Sequence, residues 1–359
     1  MAQHIPEPVI EADRVHNRVL REISFSKYLN PLNGEEARQA FMRGASSPPF
    51  LYEPLVDADT WLRRLDRAPT DHEHPAGILV HRCITHTQDT IRALRDRTAS
   101  SFHLLAVSND WYPEPELMDL SFPEATSHPG PLDVSAEDLI AHLEDALLSR
   151  GALDWKVLRD RVMSARVLVD GAKRVLRVNP DALFRQRDLD RLVAHEIDVH
   201  VLRSIAGQTQ LLRCFETGLP GSLTTEEGLA MFAEEQTGTD SPGVLSRQLE
   251  VLRAIQMARE MGFRELFSRL EETLGQGLSW GICLRIKRGL ARPDLPGVYA
   301  KDSVYLRGRM RVTAWLDAGG SLADLYVGKV GIDDPVSDWI EQGWIQPASV
   351  QPPDWSAQA

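Results

Sequence analysis

The sequence predicts an α+β chain that is mainly helical, with a small antiparallel sheet set just before one histidine-bearing helix. Apolar residues recur at the helical period over most of the chain. β-Branched runs, by contrast, fall at Trp155 to Leu158, Ala165 to Val169 and Arg174 to Val178, the last two joined by the hairpin string Asp170-Gly171-Ala172-Lys173. No internal repeat or low-complexity linker divides the chain. One compact α+β unit is therefore expected, with a mainly helical N-terminal portion over 1–150, a second portion over 151–346 and a proline-rich tail over 347–359.

In chain order, Glu7 to Leu29 reads as one helix closed by the turn Asn30 to Gly34, and Ala58 to Leu65 as a short helix with Trp61 and Leu65 inward. Asp71-His72-Glu73-His74-Pro75 is a polar loop without a partner at helical ligand spacing. Gly77 to Ala99 is a long helix whose His81 and His86 read as structural. Ser121 to Pro131 is a loop, and Val134 to Ser149 a helix opened by the capping string Ser135-Ala-Glu137-Asp138. Beyond the strands lie the histidine helix, a turn-rich loop around Gly218-Leu-Pro220-Gly221, and a helix opening at Ser222. Helical patterns follow over Gly243 to Met261, Phe263 to Leu274 and Leu278 to Gly289, stopped by Gly262, Gly275 and Gly277. Another helix opens near Val298 to Gly308, a short extended piece near Leu325 to Gly331, and a last helix covers Val336 to Gln342.

A net charge of −12 over 359 residues leaves no basic excess to neutralise phosphates, which argues against nucleic acid and anionic membranes as partners. It also makes tubulin, whose tails are acidic, a doubtful one. No apolar stretch approaches the roughly 20 residues of a membrane span and no leader precedes the first helix, so a cytoplasmic location is expected. The three cysteines, Cys83, Cys214 and Cys283, are widely spaced and suggest neither a disulfide framework nor a thiolate metal site. Any metal must be held by nitrogen and oxygen.

The segment Arg191 to Arg203 sets His195, Glu196 and His200 within one apolar helical pattern. Two histidines and an adjacent glutamate on one helix are the means by which zinc hydrolases hold a metal and a general base together. Here the histidines are five residues apart, about 140° round a regular helix, so a shared ion requires a widened turn such as a π-bulge near Ile197 to Val199. Taken alone, the segment fits equally well two unrelated histidines on a buried helix. Glu227, 27 residues beyond His200, is open to two readings as well. Thr224-x-x-Glu227 fits a capping box, and a carboxylate from a neighbouring helix would complete a catalytic zinc set of two histidines and one acid.

The strings His195-Glu-Ile-Asp-Val-His200-Val-Leu-Arg203, Gly218-Leu-Pro-Gly221 and Thr225-Glu-Glu-Gly-Leu-Ala230 resemble the family named for its QEGLA motif, which includes the microtubule-associated tyrosine carboxypeptidases. Trp155-Lys-Val, Met163-Ser-Ala-Arg166, Lys301-Asp302, Tyr305-Leu-Arg-Gly308 and Val327-Gly328-Lys329 extend the resemblance from about Asp154 to Lys329. It implies a mainly helical, zinc-metallopeptidase-like α+β fold in which His195, His200 and Glu227 bind Zn2+ and Glu196 is the general base. The implied function is a metallocarboxypeptidase releasing a C-terminal Tyr or Phe from a peptide or protein. Terminal-carboxylate recognition would then fall to Arg288, Lys301 and Tyr305, with Arg203 a further candidate. Two residues depart from the pattern: Glu226 stands where glutamine is frequent, and Asp198 where a small residue is frequent. Either would add negative charge near the ion. An endo- or aminopeptidase on the same zinc site, and a metal-stabilised regulatory protein without catalysis, are the alternatives.

Overall fold

The computed structural model describes residues 4–69, 71–123, 130–163, 165–240 and 243–355. Five helices and a short one form the N-terminal part: α1 (Glu7–Glu22), α2 (Phe25–Leu29), α3 (Gly34–Met42), α4 (Ala58–Asp66), α5 (Pro75–Asp96) and α6 (Ala99–Ser108). The expected single helix over Glu7 to Leu29 breaks at Ile23 and Ser24, where Ile23 turns to extended backbone. Helices α3 and α6 are additions to the sequence reading; α6 carries little amphipathic pattern and is set off from α5 by left-handed Arg97. His74 proves structural, capping α5 by accepting the Ala76 N–H on its side chain. Helix α7 (Ala136–Ser149) opens with the expected capping box, Ser135 and Asp138 exchanging side-chain and backbone hydrogen bonds. Of the loop read over Ser121 to Pro131, residues 124–129 lie outside the described residues, as do the last four of the tail.

Strands β1 (Lys156–Arg159), β2 (Val167–Asp170) and β3 (Val175–Val178) form a sheet in the order β1-β3-β2. The β2–β3 hairpin is as expected, Val169 facing Leu176. The sheet is mixed, however, because β1 pairs in parallel with β3, Val157 opposite Leu176. A turn signal dictates pairing only for the strands it joins, and none joins β1 to β2. The consequence for the site is that β2 is an edge strand.

The histidine helix runs without interruption through α8 (Gln186–Leu192), a π-helical segment Val193–Val201 and α9 (Leu202–Gln208). There follow α10 (Cys214–Thr217), α11 (Ser222–Gln236), α12 (Val244–Ala258) and α13 (Phe263–Lys287). The two helices expected on either side of Gly275 are present as the two halves of α13, separated by a kink at that residue, whose φ of 72° and ψ of 164° leave the helical region. After α14 (Val304–Asp317) come the short α15 (Leu322–Leu325), an irregular loop where an extended piece was expected, and α16 (Val336–Glu341). Among the described residues no helix is long and apolar enough to cross a membrane.

Two large cores position the site. One gathers α1, α4 and α5 with Val199, Leu202, Phe215, Leu229, Tyr326 and the C-terminal Trp339, Trp344 and Trp355. Another joins Phe41 and Phe102 to α12 and α13. A smaller core packs the sheet and α7 under the π segment through Leu143, Leu176, Phe184, Val193, Ile197 and Val201.

Helices α11 and α14 cross where both carry glycine. A Cβ added to Gly228 would lie 2.1 Å from the carbonyl carbon of Gly308, and one added to Gly308 would lie 2.0 Å from the Thr224 carbonyl oxygen. Backbone meets backbone there, so no side chain can yield. Gly308→Ala is expected to destabilise the protein by about 1–3 kcal/mol, or more if the helices cannot part, because overpacking forces a backbone shift. Gly34→Ala, with nothing within 4 Å, should remain within about 0.5 kcal/mol of wild type in urea unfolding.

Candidate metal centre and cleft

The widening that the five-residue spacing demands is present, and it extends over the nine residues Val193–Val201 instead of a single turn. In a π-helix each N–H bonds five residues back, so residues five apart stand nearly above one another. His195 and His200 accordingly lie side by side, ring centroids 5.1 Å apart. Two contacts hold the segment. Tyr326 donates its hydroxyl to the Asp198 carbonyl at 2.7 Å, and Arg150 from the end of α7 grips the Asp198 carboxylate through Nε and Nη2 at 2.9 and 3.3 Å. Asp198 therefore faces α7, not the histidines. Burial pushes its carboxyl up and Arg150 opposes the rise.

Helix α11 supplies the third group. Its N-cap is Gly221 and its first residue Ser222, so Thr224 and Glu227 both lie inside the helix and the capping-box reading of that pair fails. Glu227 Oε2 stands 3.6 Å from His195 Nε2 and 3.7 Å from His200 Nε2. Among the described residues His195, His200 and Glu227 are the one set whose ligand atoms all lie within 4.8 Å of one another. A tetrahedral shell with bonds of about 2.1 Å has edges of about 3.4 Å, close to the separations seen.

The opposite edge of each imidazole is anchored. His195 Nδ1 is 2.7 Å from Glu234 Oε1, and His200 Nδ1 is 2.8 Å from Glu226 Oε1. Since a carboxylate can only accept, each Nδ1 carries a proton, and Nε2 is the ring atom that faces Glu227. Glu227 Oε2, though buried, has no hydrogen-bond partner. Two ring nitrogens and an orphaned carboxylate oxygen converging on one point are a donor set that fits a divalent ion, which would take the place of the Nε2 proton. The surrounding charge favours a positive group at this point, whether a proton or a cation. Burial alone would lower the His195 imidazole, yet Glu227, Glu234 and Glu196 outweigh it and push it well above its usual range. Burial alone would raise the Glu227 carboxyl, yet His195, His200 and Lys301 hold it at about 2.

Glu234 was not singled out from the sequence. It lies seven residues after Glu227, two helical turns on and on the same face, and Arg191 balances its charge at 2.9 Å. Glu226 does not add a second free negative charge beside Glu227, because Arg203 and Lys329 ion-pair with it. Arg203 is accordingly excluded as a substrate contact: it is fully buried and committed to Glu226 and to the carbonyls of Leu325 and Val330.

Glu196 is buried on the wall of a cavity of about 290 Å³ that also holds His195, His200, Glu227, Lys301, Tyr305 and Lys329. The inner wall on the other side is edge strand β2, through Val167, Leu168 and Val169. A second cavity of about 400 Å³ adjoins it and shares Lys301, Tyr305, Trp111, His86 and Leu223. Its far side comes from Leu20, Phe25 and Leu29 of the N-terminal helices, and Arg285, Arg288 and Asp302 line one end. Arg285 and Arg288 approach Asp302 at 2.5 and 3.6 Å and hold its carboxyl, which burial would raise, at about 2. Lys301 has no carboxylate within ion-pair distance among the described residues. Burial and the nearby Glu227 push the Tyr305 phenol far above its usual value, so it remains a donor. His86, read as structural, stands at the junction of the two cavities, its imidazole pushed down by burial.

Arg203→Met leaves the Glu226 carboxylate short of a partner and two buried carbonyls unbonded. A loss of about 3–5 kcal/mol in urea unfolding is expected. Arg203→Lys should recover little of it, since one ammonium cannot reproduce the guanidinium fork that reaches all three acceptors.

A family model described as microtubule-associated tyrosine carboxypeptidase matches residues 41–359. Microtubule-associated tyrosine carboxypeptidase 1 of Rattus norvegicus is 32% identical over 172 residues, covering 45% of this chain and 35% of the relative. The Homo sapiens protein of the same name is 32% identical over the same length. Putative tyrosine carboxypeptidase MATCAP2 of Homo sapiens is 28% identical over 204 residues, 55% of this chain and 36% of its own. The chain thus matches about a third of the length of these relatives. Their names lend no support to the doubt that net charge casts on tubulin. With residues 41–359 matched, the chain belongs to the microtubule-associated tyrosine carboxypeptidase family.

Proposed function

We propose that the protein is a zinc-dependent carboxypeptidase that removes an aromatic residue from a peptide or protein C-terminus. The observation that carries the reading is the convergence of His195 Nε2, His200 Nε2 and the orphaned Glu227 Oε2 beside Glu196, at the mouth of a cavity with cationic groups at one end. His195, His200 and Glu227 would hold the ion. Bound there, zinc supplies Lewis acidity, polarising a scissile carbonyl and acidifying water. Glu196 takes the proton of the attacking water and returns it to the departing amine. Edge strand β2 offers free backbone groups to an extended substrate, keeping the scissile bond over Glu196. Lys301, with Tyr305 and Arg288 beyond it, receives the terminal carboxylate, which could not be desolvated unpaired. Trp111, Leu168, Val169 and Leu223 give an aromatic side chain apolar walls.

The test is hydrolysis of paired peptides ending in free or amidated Tyr and Phe, tubulin-tail sequences among them, read by product mass. Free-acid peptides should lose one residue and amidated ones should be spared; equal cleavage of both would favour an endopeptidase. Glu196→Gln should lower kcat roughly 100- to 10,000-fold without releasing metal. Lys301→Ala should cost roughly 10- to 100-fold in kcat/KM, the worth of one hydrogen bond to a charged group.

A further inference from the structure

Lys329 ends the string Val327-Gly328-Lys329, to which the sequence attaches no role. It is buried on the wall of the histidine cavity, and its Nζ stands 2.8 Å from Glu226 Oε1. The same oxygen accepts His200 Nδ1–H at 2.8 Å, while Oε2 accepts Arg203 at 3.1 Å. Arg203 is fixed in turn by the carbonyls of Leu325 and Val330, on either side of Lys329 in the chain. The Lys329 backbone bonds the Phe215 carbonyl at 2.7 Å and the Leu219 N–H at 3.0 Å, tying this loop to the Gly218–Gly221 wall of the cleft.

All three groups around Glu226 are donors: an imidazole N–H, an ammonium and a guanidinium. Only a side chain that accepts at both ends satisfies them. Glutamine at this position would turn its amide NH2 towards a donor, leaving that donor buried and unpaired. Two cations on one carboxylate also allow it to stay ionised out of water. An ionised acceptor on Nδ1 makes Nε2 a better electron donor to a cation than a neutral amide would.

We infer that Glu226, locked by Lys329 and Arg203, is a positioning residue for His200, and that the Glu226–Lys329 pair sets how tightly the ion is retained. The inference rests on the reading of His195, His200 and Glu227 as a metal centre. It is tested on the full chain by the Zn2+ dissociation constant, from competition with a chromophoric chelator, and by the visible spectrum of the Co2+-loaded protein. Glu226→Gln and Lys329→Met should each weaken Zn2+ retention roughly 10- to 100-fold and shift the cobalt bands, and Lys329→Arg should recover most of the loss. Unfolding of the metal-free forms identifies a variant that fails to fold; should Glu226→Gln fail, Lys329→Met carries the test. Wild-type Zn2+ affinity and an unchanged cobalt spectrum in the folded variants would overturn the inference while leaving the metal centre standing. A wild-type protein that takes up neither ion would overturn the metal reading and this inference with it.

Discussion

Two histidines five residues apart must face one carboxylate, and that demand shapes the middle of this protein. A regular helix cannot meet it, because i→i−4 hydrogen bonding sends the two imidazoles to different faces. The i→i−5 pattern can, at the cost of a wider and less favourable backbone whose geometry has to be imposed from outside. Each external tie is visible. Tyr326 satisfies the Asp198 carbonyl, Arg150 clamps the Asp198 side chain from α7, and Val193, Ile197 and Val201 bury the opposite face against the sheet core. Across the site, the contact of Gly228 with Gly308 seats α11 directly against α14 and so fixes where Glu226, Glu227 and Glu234 stand.

Charge imposes a second constraint. Glu196, Glu226, Glu227 and Glu234 are all buried near two imidazoles. Unpaired charges there would each cost several kcal/mol in desolvation. The three that contact the imidazoles directly fall into two classes. Glu226 and Glu234 sit behind the imidazoles and are neutralised by fixed cations, Lys329 and Arg203 for one and Arg191 for the other. Glu227 keeps an oxygen without a donor. The outer carboxylates are thus finished structure, and the unmet demand for positive charge is concentrated between the two Nε2 atoms.

How much of this was legible in the sequence varies with the range of the interaction. Local signals read well: the Ser135 capping box, the hairpin string from Asp170 to Lys173 and the glycine bend at Gly275 all have short-range causes. The convergence of His195, His200 and Glu227 was legible because they belong to recognisable strings, and the necessary widening followed from the geometry of a five-residue gap. Glu234 was within reach, since it shares a helix face with Glu227 at a spacing of seven. The parallel pairing of β1 was not, because it depends on which sheet edge is open when the chain returns from α7. Nor was the fate of the two unusual acids. Asp198 and Glu226 look alike as extra negative charges, but their effects are decided by Arg150, Arg203 and Lys329, which are 48, 23 and 103 positions away in the numbering.

The larger cavity links the N-terminal helices to the chemistry. Its walls draw on Leu20, Phe25 and Leu29 near the start of the chain, on His86 and Thr87 in the middle of α5, and on Arg288, Lys301 and Tyr305 far beyond the histidines. His195, Glu196, His200 and Glu227 all come from 195–227, so the cluster itself draws nothing from α1, α2 and α5. The adjoining cavity draws on all three. Without those helices the groove along β2 would lose the wall that Leu20, Phe25 and Leu29 provide. The N-terminal helices therefore set the extent of the cleft, while the π segment and α11 set the positions of His195, His200 and Glu227.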